Sequence, residues 1–346
     1  MKIIHTADIH LDSPLIGVKD APKRRQELLQ AFVNLAEYAK NNGVQAVVVA
    51  GDLFDDEFVT EQTIKSVAYV VENSPAQWFV VKGNHGSDKP YQLLQKLTQK
   101  IHWFGKELVC YHLDGATICG KELDKNSTTG WDFSHLDSKQ FNLLVLHGDV
   151  DSDAYGQIDK RAIANSAINY VALGHRHAFQ QVKFGKVLGA YCGVLEARGF
   201  DETQQTGFVV VDTVQKQVQF VPSHIRKVVS RQLDVSAISN PAELQNAILD
   251  CVADVAFQNY LNLQFVGSVE QKLDYKLVAQ TALQGKYFSL RLQDDTTLAV
   301  DVEQLKKEIS LRGEFVKLCL EEPNPQLRKE MLELGLLVLS GGKPQQ

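Results

Sequence analysis

The sequence has few of the residues that build disulfide-rich or membrane-embedded folds. It contains only five cysteines, widely spaced and without a C-x-x-C pair. This usage predicts reduced thiols in the cytoplasm, and it argues against a disulfide framework or a cysteine zinc site. No apolar run approaches the roughly 18 residues that a transmembrane helix needs, and the first apolar run is too short for a signal peptide. We therefore expect a cytoplasmic protein without membrane contact. The cysteines are Cys110, Cys119, Cys192, Cys251 and Cys319.

The chain also lacks the excess of positive charge that is typical of nucleic-acid-binding domains. Its 36 Lys and Arg residues face 42 Asp and Glu residues, for a formal net charge of −6. Phosphate contacts need positive charge at the contact rather than in the total. Nucleic-acid binding would therefore rest on local clusters such as Arg226-Lys227, or on a partner, although charged surfaces are commonly just solvated.

Several apolar segments of the sequence end in residues of the kind that bind metal ions. Carboxyl ends of parallel strands meet at one edge of a sheet, so these side chains are expected to converge. Each motif alone is common, but the ordered set predicts a metal-dependent active site. The motifs are Asp8-Ile9-His10, Gly51-Asp52, Gly83-Asn84-His85, His147 and Gly174-His175-Arg176-His177.

In this order the motifs resemble those of the calcineurin-like metallophosphoesterases, D-x-H, G-D, G-N-H, H and G-H-x-H. The match covers roughly residues 1 to 220. The segments 10–15, 51–55 and 191–202 are also similar to SbcD-type DNA repair exonucleases, especially the YhaO-like branch. The resemblance implies an α/β fold, a two-sheet αββα metallophosphoesterase sandwich over residues 1–223. A small C-terminal α+β capping domain over residues 224–346 would follow, after the boundary at Pro222.

The resemblance also assigns metal ligands. Two divalent cations about 3.5 to 4 Å apart can clamp a phosphodiester and activate water. Asp8, His10 and His177 would hold one cation, and Asn84, His147 and His175 the other. Asp52 would bridge both, because a carboxylate has two oxygens. Imidazole and carboxylate ligands suit manganese, iron or zinc better than calcium, and the resemblance favours manganese.

His85 is predicted to be catalytic. By resemblance it protonates the leaving oxygen, which an imidazole can do near neutral pH. Asp55 would orient His85, or else cap the following loop. Gly86 departs from the family pattern, which usually has an acidic residue at this position. Arg176 and Arg198 would either contact substrate phosphate or pair with a carboxylate.

These residues predict a metal-dependent DNA phosphodiesterase, an exonuclease or endonuclease, that acts in DNA repair or recombination. The resemblance implies an SMC-like coiled-coil ATPase of the SbcC type as partner, and it admits a homodimer. One alternative is a phosphoesterase for nucleotides or other small phosphoesters, since the metal motifs are shared across the superfamily. Another is a non-catalytic scaffold on the same fold, but such proteins usually lose ligands that this sequence retains.

Local patterns predict several individual elements. A helix is expected from Asp20 to Gly43, with Pro22 in its first turn. Asp114-Gly115 indicates a β-hairpin turn. Near the C-terminus we expect a helix over 302–321 with a break near Arg312-Gly313, and another over 325–334. The apolar run 334–339 either completes the core of this domain or docks on a partner.

Overall fold

The computed structural model of the chain describes residues 1–55, 59–85, 87–123, 131–150, 158–269, 273–299 and 302–339. The chain forms two compact units, Met1–Val228 and Val229–Gln346. Gly86, the departure from the family pattern, lies outside the described residues.

The first unit contains two six-stranded mixed sheets. The first sheet has the order β12-β11-β1-β2-β3-β4, and its strands are β1 (Lys2–Thr6), β2 (Ala46–Ala50), β3 (Gln77–Val81), β4 (Ile101–Phe104), β11 (Gly207–Asp212) and β12 (Gln217–Pro222). The second has the order β5-β6-β7-β8-β10-β9, and its strands are β5 (Val109–Leu113), β6 (Ala116–Gly120), β7 (Phe141–His147), β8 (Tyr170–Gly174), β9 (Gln180–Phe184) and β10 (Val187–Tyr191). The helices of this unit are α1 (Ala21–Asn41), α2 (Glu61–Asn73), α3 (Asp88–Leu97) and α4 (Lys160–Ala164).

The two sheets pack face to face, and helices cover their outer faces. Val48 of β2 and Val145 of β7 belong to one buried cluster between the sheets. On the outer face of the first sheet, Phe32 of α1 and Val67 of α2 pack with Val47. Strands β2, β7 and β8 are buried at every residue, as expected for parallel strands covered on both faces. The predicted two-sheet sandwich is therefore confirmed.

Helix α1 shows how local sequence sets an element. Asp20 is its N-cap, Pro22 lies in its first turn where a missing N–H costs nothing, and Leu28 and Leu35 lie on its buried face. The helix ends at Asn41, and Gly43 follows with a φ of +62°, a left-handed conformation that favours glycine. The predicted helix is thus present within two residues of each end.

The second unit is a smaller α+β assembly. A three-stranded sheet has the order β13-β14-β16 and a two-stranded sheet pairs β15 with β17. The strands are β13 (Val228–Asp234), β14 (Tyr260–Val266), β15 (Ser268–Val269), β16 (Ser289–Asp294) and β17 (Thr297–Leu298). The helices are α5 (Pro241–Cys251), α6 (Tyr275–Leu283), α7 (Val302–Leu305), α8 (Leu311–Leu320) and α9 (Pro325–Leu339). Leu244 of α5 and Ala279 of α6 share a buried cluster with Leu263 of β14.

Two local predictions for the second unit need revision. The break in the helix predicted over 302–321 lies between Leu305 and Leu311 rather than at Arg312-Gly313, because the Ser310 hydroxyl accepts from Gly313 N–H and caps a new helix. The apolar run is part of α9, where Leu336 is fully buried while Leu334 and Val338 are about half exposed. It contributes to the core of this unit through one of its faces only.

The prediction of reduced thiols alone is wrong for one pair of cysteines. Cys110 and Cys119 form a disulfide, whereas Cys192, Cys251 and Cys319 are free. The physical reason is the hairpin that turns at Asp114-Gly115. Its antiparallel register puts Cys110 directly opposite Cys119, with their Cα atoms 4.0 Å apart. Spacing along the chain does not reveal this proximity, but the register of the predicted hairpin does.

A buried ion network holds the chain segment that follows β10. Arg24 of α1 is fully buried, and its Nη2 donates to Glu196 Oε1 at 2.9 Å and to the carbonyl of Ala197 at 2.6 Å. Arg24 also pairs with Glu27, and Arg226 donates to Glu27 from Nε at 2.8 Å. The network therefore fixes the backbone next to Arg198. Since each buried charge has partners here, removing one member would leave the others uncompensated.

Candidate metal centre

The carboxyl ends of five parallel strands bring the predicted ligands together. Strands β1, β2 and β3 of the first sheet end before Asp8, Asp52 and Asn84. In the second sheet, β7 ends with His147, and β8 ends just before His175. The centre therefore lies where the edges of both sheets meet, as the motif order predicts.

Four of these residues have left-handed backbone conformations. The φ angles are 49° at Asp8, 48° at His10, 50° at Asp52 and 101° at His175. Such angles cost non-glycine residues of the order of 1 to 3 kcal/mol each and cluster at functional sites. The packing around them must impose these angles, because local preference disfavours them.

Two motif glycines allow the strand ends to approach closely. A Cβ at Gly51, whose φ is +96°, would lie 2.1 Å from His147 Nδ1. A Cβ at Gly83 would lie 2.0 Å from Asp52 Oδ1. Each glycine therefore leaves space that a predicted ligand occupies.

One group of ligand atoms surrounds Asn84. Its Oδ1 lies 2.7 Å from His147 Nε2 and 3.0 Å from His175 Nδ1, and Asp52 Oδ2 is 3.4 Å from His147 Nε2. His147 Nδ1 lies 2.9 Å from the carbonyl oxygen of Ala50, which can only accept, so Nδ1 carries the proton. His147 Nε2 then presents a lone pair to two other electron-rich oxygens. This arrangement needs a cation to be favourable.

A second group forms around His10. His10, Asp8 and His177 each bring a ligand atom to within 4.8 Å of the others. The His10 ring is fully buried, and neither of its nitrogens has a hydrogen-bond partner among the described residues. Its Nε2 lies 3.8 Å from Asp52 Oδ2. Since Asp52 Oδ2 faces both groups, it is placed to bridge them.

Burial shifts the pKa of each central group toward its neutral form. It raises the pKa of Asp52 to about 6 and that of Asp8 well above its usual range. It lowers the pKa of His147 to about 3 and also lowers the pKa values of His10 and His175. Buried carboxylates and neutral imidazoles without a counter-cation are the expected state of a preformed metal site. With the unpartnered nitrogens of His10, this donor set fits divalent cations.

The predicted catalytic pair lies at the mouth of the centre. The side chain of His85 is 49% exposed, and its ring is 5.1 Å from that of His10. Asp55 Oδ1 lies 4.0 Å from His85 Nδ1, and Asp55 Oδ2 lies 3.7 Å from His10 Nδ1. Both distances exceed hydrogen-bond length. Asp55 is therefore near enough to orient either ring after a small movement.

Two further residues beside the centre were not assigned from the sequence. Glu202 Oε1 lies 3.0 Å from His177 Nδ1, and Arg198 holds Glu202 through Nε at 3.0 Å and Nη2 at 2.8 Å. Burial alone would raise the pKa of Glu202, but hydrogen bonding to His177 and the Arg198 charge lower it to about 2. Arg176 donates to Asp149 at 2.6 Å. Both arginines thus contact a carboxylate, one of the two roles left open by the sequence.

A two-sheet α/β sandwich with buried carboxylates and imidazoles at its strand ends is the architecture of a metal-dependent hydrolase. The family model of the calcineurin-like phosphoesterases matches residues 1–179, half of the chain. This chain therefore belongs to the calcineurin-like phosphoesterase family, whose members depend on a binuclear metal centre. The ligand groups around Asn84 and His10 are the residues that could hold such metals.

Curated relatives are similar at low identity. The chain is 24% identical to YhaO, an uncharacterized metallophosphoesterase of Bacillus subtilis, over 246 residues that cover 64% of this chain and 59% of YhaO. It is 26% identical to the DNA double-strand break repair protein Mre11 of Halobacterium salinarum over 61% of this chain and 56% of that protein. It is 22% identical to one of the subunits of the nuclease SbcCD of Staphylococcus saprophyticus over 64% and 69%, respectively. The chain thus spans less than two thirds of the first two relatives.

No helix within the described ranges is both long enough and apolar enough to cross a membrane.

Proposed function

We propose that this protein is a metal-dependent phosphodiesterase that cleaves DNA, in DNA repair or recombination. The main support is the arrangement of ligand atoms around Asn84 and His10 in a chain whose relatives include Mre11 and a component of the nuclease SbcCD. The ligand assignment follows the two groups, with Asp8, His10 and His177 for one cation and Asn84, His147 and His175 for the other. Asp52 is the shared ligand.

The chain's own residues then have separate tasks. When bound, divalent cations supply positive charge for phosphate oxygens and lower the pKa of a water. The Ala50 carbonyl fixes the tautomer of His147, and the buried strand ends hold the ligands in place before substrate arrives. His85, exposed at the mouth, donates a proton to the leaving sugar oxygen. Asp55 positions that imidazole.

Metal dependence is the first test. Chelation with EDTA followed by dialysis should abolish cleavage of end-labelled DNA, and manganese should restore it best in a panel with iron, zinc and calcium. Asp52→Ala should lose more bound metal than a variant lacking any single histidine, because it removes a ligand from both groups. Full activity after chelation would refute a binuclear mechanism.

A second candidate is a phosphoesterase for nucleotides. A cavity of about 550 Å³ lies beside Asp55, His177 and Arg198, with Leu15 and Val18 on its apolar side. Its size and mixed lining suit a nucleoside group. The two candidates differ in substrate preference, so DNA, mononucleotides and a nitrophenyl phosphodiester should be compared under identical metal conditions. Hydrolysis of mononucleotides without DNA cleavage would favour the second candidate.

The proposal includes a capping role for the C-terminal part, residues 224–346. Arg226 belongs to the buried ion network of the first unit, so a truncation should follow Val228 rather than Val221. The shortened protein should keep hydrolysis of the nitrophenyl ester and lose most DNA cleavage. Equal DNA cleavage by both forms would exclude a substrate role for this part.

We further infer a partner of the SMC-like coiled-coil ATPase type, because the Staphylococcus relative is named as a component of SbcCD. A homodimer is a second assembly to test. Light scattering after size exclusion, with the protein alone and with the purified ATPase of the same organism, measures both. Elution of the mixture as separate species would contradict the partnership.

A further inference from the structure

Glu202 and Arg198 form a charged pair next to the proposed metal centre. The Glu202 side chain is 11% exposed, and its Oε1 is 3.0 Å from His177 Nδ1. Arg198 donates to Glu202 from its backbone N–H at 2.6 Å as well as from its guanidinium. The residues therefore form a chain of contacts from Arg198 through Glu202 to a proposed ligand.

The contacts at His177 Nδ1 restrict its protonation. Arg198 Nη2 lies 3.2 Å from the same nitrogen, but a guanidinium can only donate, so this contact requires a bare Nδ1. Glu202 can only accept and requires Nδ1–H. Arg198 already donates to Glu202 through three groups, which keeps that carboxylate ionised as an acceptor. The Nδ1–H tautomer is thus the one that satisfies the carboxylate.

The other ring nitrogen then becomes the metal ligand. With the proton on Nδ1, His177 Nε2 carries the lone pair, and the ring lies 5.3 Å from the ring of His10. Arg198 Nη1 lies 3.6 Å from Asp55 Oδ2, which in turn faces His10 Nδ1 at 3.7 Å. Arg198 consequently lies between two carboxylates, each facing the Nδ1 of one histidine in the same ligand group.

We propose that Glu202 is a positioning residue that holds His177 in the Nδ1–H tautomer for metal binding, and that Arg198 holds Glu202 in place. This inference rests on the proposed function. A carboxylate that fixes a ligand histidine typically contributes 10- to 100-fold to metal affinity. The competing explanation is that the Arg198–Glu202 pair only stabilises its own loop.

The test uses the full-length protein and two measurements. Two-bond ¹H–¹⁵N spectra of the metal-free protein near pH 8 report the tautomer of His177, whose signals are assigned by their loss in His177→Gln. The wild type should show Nδ1–H, and Glu202→Ala should show a mixture of tautomers. Calorimetric titration with Mn²⁺ should show about 10- to 100-fold weaker binding at one of two sites in Glu202→Ala.

Two variants control this experiment. Glu202→Gln retains an amide oxygen as acceptor and should recover part of the affinity, and it carries the test if Glu202→Ala does not fold. Glu61→Ala removes the carboxylate of an exposed i,i+4 pair with Lys65 and should bind like wild type. If wild type binds two equivalents and both Glu202 variants match it, the positioning role is refuted. If wild type itself binds no metal, the proposed function fails instead.

Discussion

Replacing Gly83 with alanine tests whether the metal centre depends on the close approach of β3 to Asp52. The new Cβ would lie 2.0 Å from Asp52 Oδ1 and 2.7 Å from the backbone nitrogen of Asp52. Ordinary contact begins near 3.4 Å, so Cβ and Oδ1 must separate by about 1.4 Å, the difference between 3.4 and 2.0 Å. Rotating the carboxylate does not relieve the clash with the backbone nitrogen.

The expected cost follows from what surrounds Asp52. This residue is 1% exposed, and its Oδ1 accepts from His85 N–H at 2.9 Å. Overpacking a buried site typically costs about 1 to 3 kcal/mol. Losing a hydrogen bond to a charged acceptor costs about 1.5 to 3 kcal/mol. We therefore expect Gly83→Ala to lower the free energy of unfolding by about 3 to 5 kcal/mol.

The matched control is Gly105→Ala. Gly105 is an exposed loop glycine with no heavy atom within 4 Å of an added Cβ, so its replacement should be neutral or stabilising by about 0.4 to 1 kcal/mol. Urea unfolding in chelator measures stability, and Mn²⁺ titration measures affinity. If Asp52 moves to accommodate the methyl group, Gly83→Ala retains stability but loses affinity. Unfolding midpoints and metal affinities that match those of Gly105→Ala would refute the steric reasoning.

Three further predictions concern other parts of the molecule. His85→Ala should lower DNA turnover about 100- to 10,000-fold but affect a nitrophenyl ester less, because nitrophenolate leaves without a proton; equal losses in steady-state kinetics, or lost metal, would reassign His85. Burial lowers the pKa of His5 from 6.5 to about 3, so its contribution to stability is complete above pH 6.5 and is lost as the pH falls toward 3. Urea titrations of metal-free protein between pH 6 and 4 should therefore show wild type losing about 1.4 kcal/mol per pH unit more than His5→Gln, and parallel curves would contradict this. Reducing the Cys110–Cys119 disulfide should lower the free energy of unfolding by about 2 to 3 kcal/mol in wild type and not in Cys110→Ser, whereas alkylation of Cys110 without reductant would show that the bond is absent.

The strand ends of the first unit could be predicted because their physics is local. Val47 to Val49 form a continuous apolar run that requires burial, and Gly51-Asp52 follows directly. Parallel neighbours then bring Asp8 and Asn84 to the same edge. The same reasoning predicted that His147 and His175 join them from the second sheet. The individual metal roles of these residues stay predictions until metal binding is measured.

Contacts between distant segments could not be predicted in this way. Glu202 faces His177 because the loop after β10 returns to the centre, and nothing in either residue's neighbourhood specifies the other. Arg24 reads as a surface residue in the cluster 23–25, yet its guanidinium is buried against Glu196. Only the packed fold provides the partner that makes this burial tolerable. Such pairs become visible once three-dimensional neighbours are known.

The placement of ligands on both sheets has a consequence for how the first unit unfolds. Asp52 and Asn84 extend from one sheet and His147 and His175 from the other, so a cation held by all four can bind only while the sheets are packed together. Its binding free energy therefore opposes separation of the sheets, by RT ln(1 + [M]/Kd) for free metal M. A hundredfold excess over Kd would contribute about 2.7 kcal/mol. The resistance of this unit to proteases should thus follow the supply of metal, so a cell short of the cation would lose the protein as well as its activity.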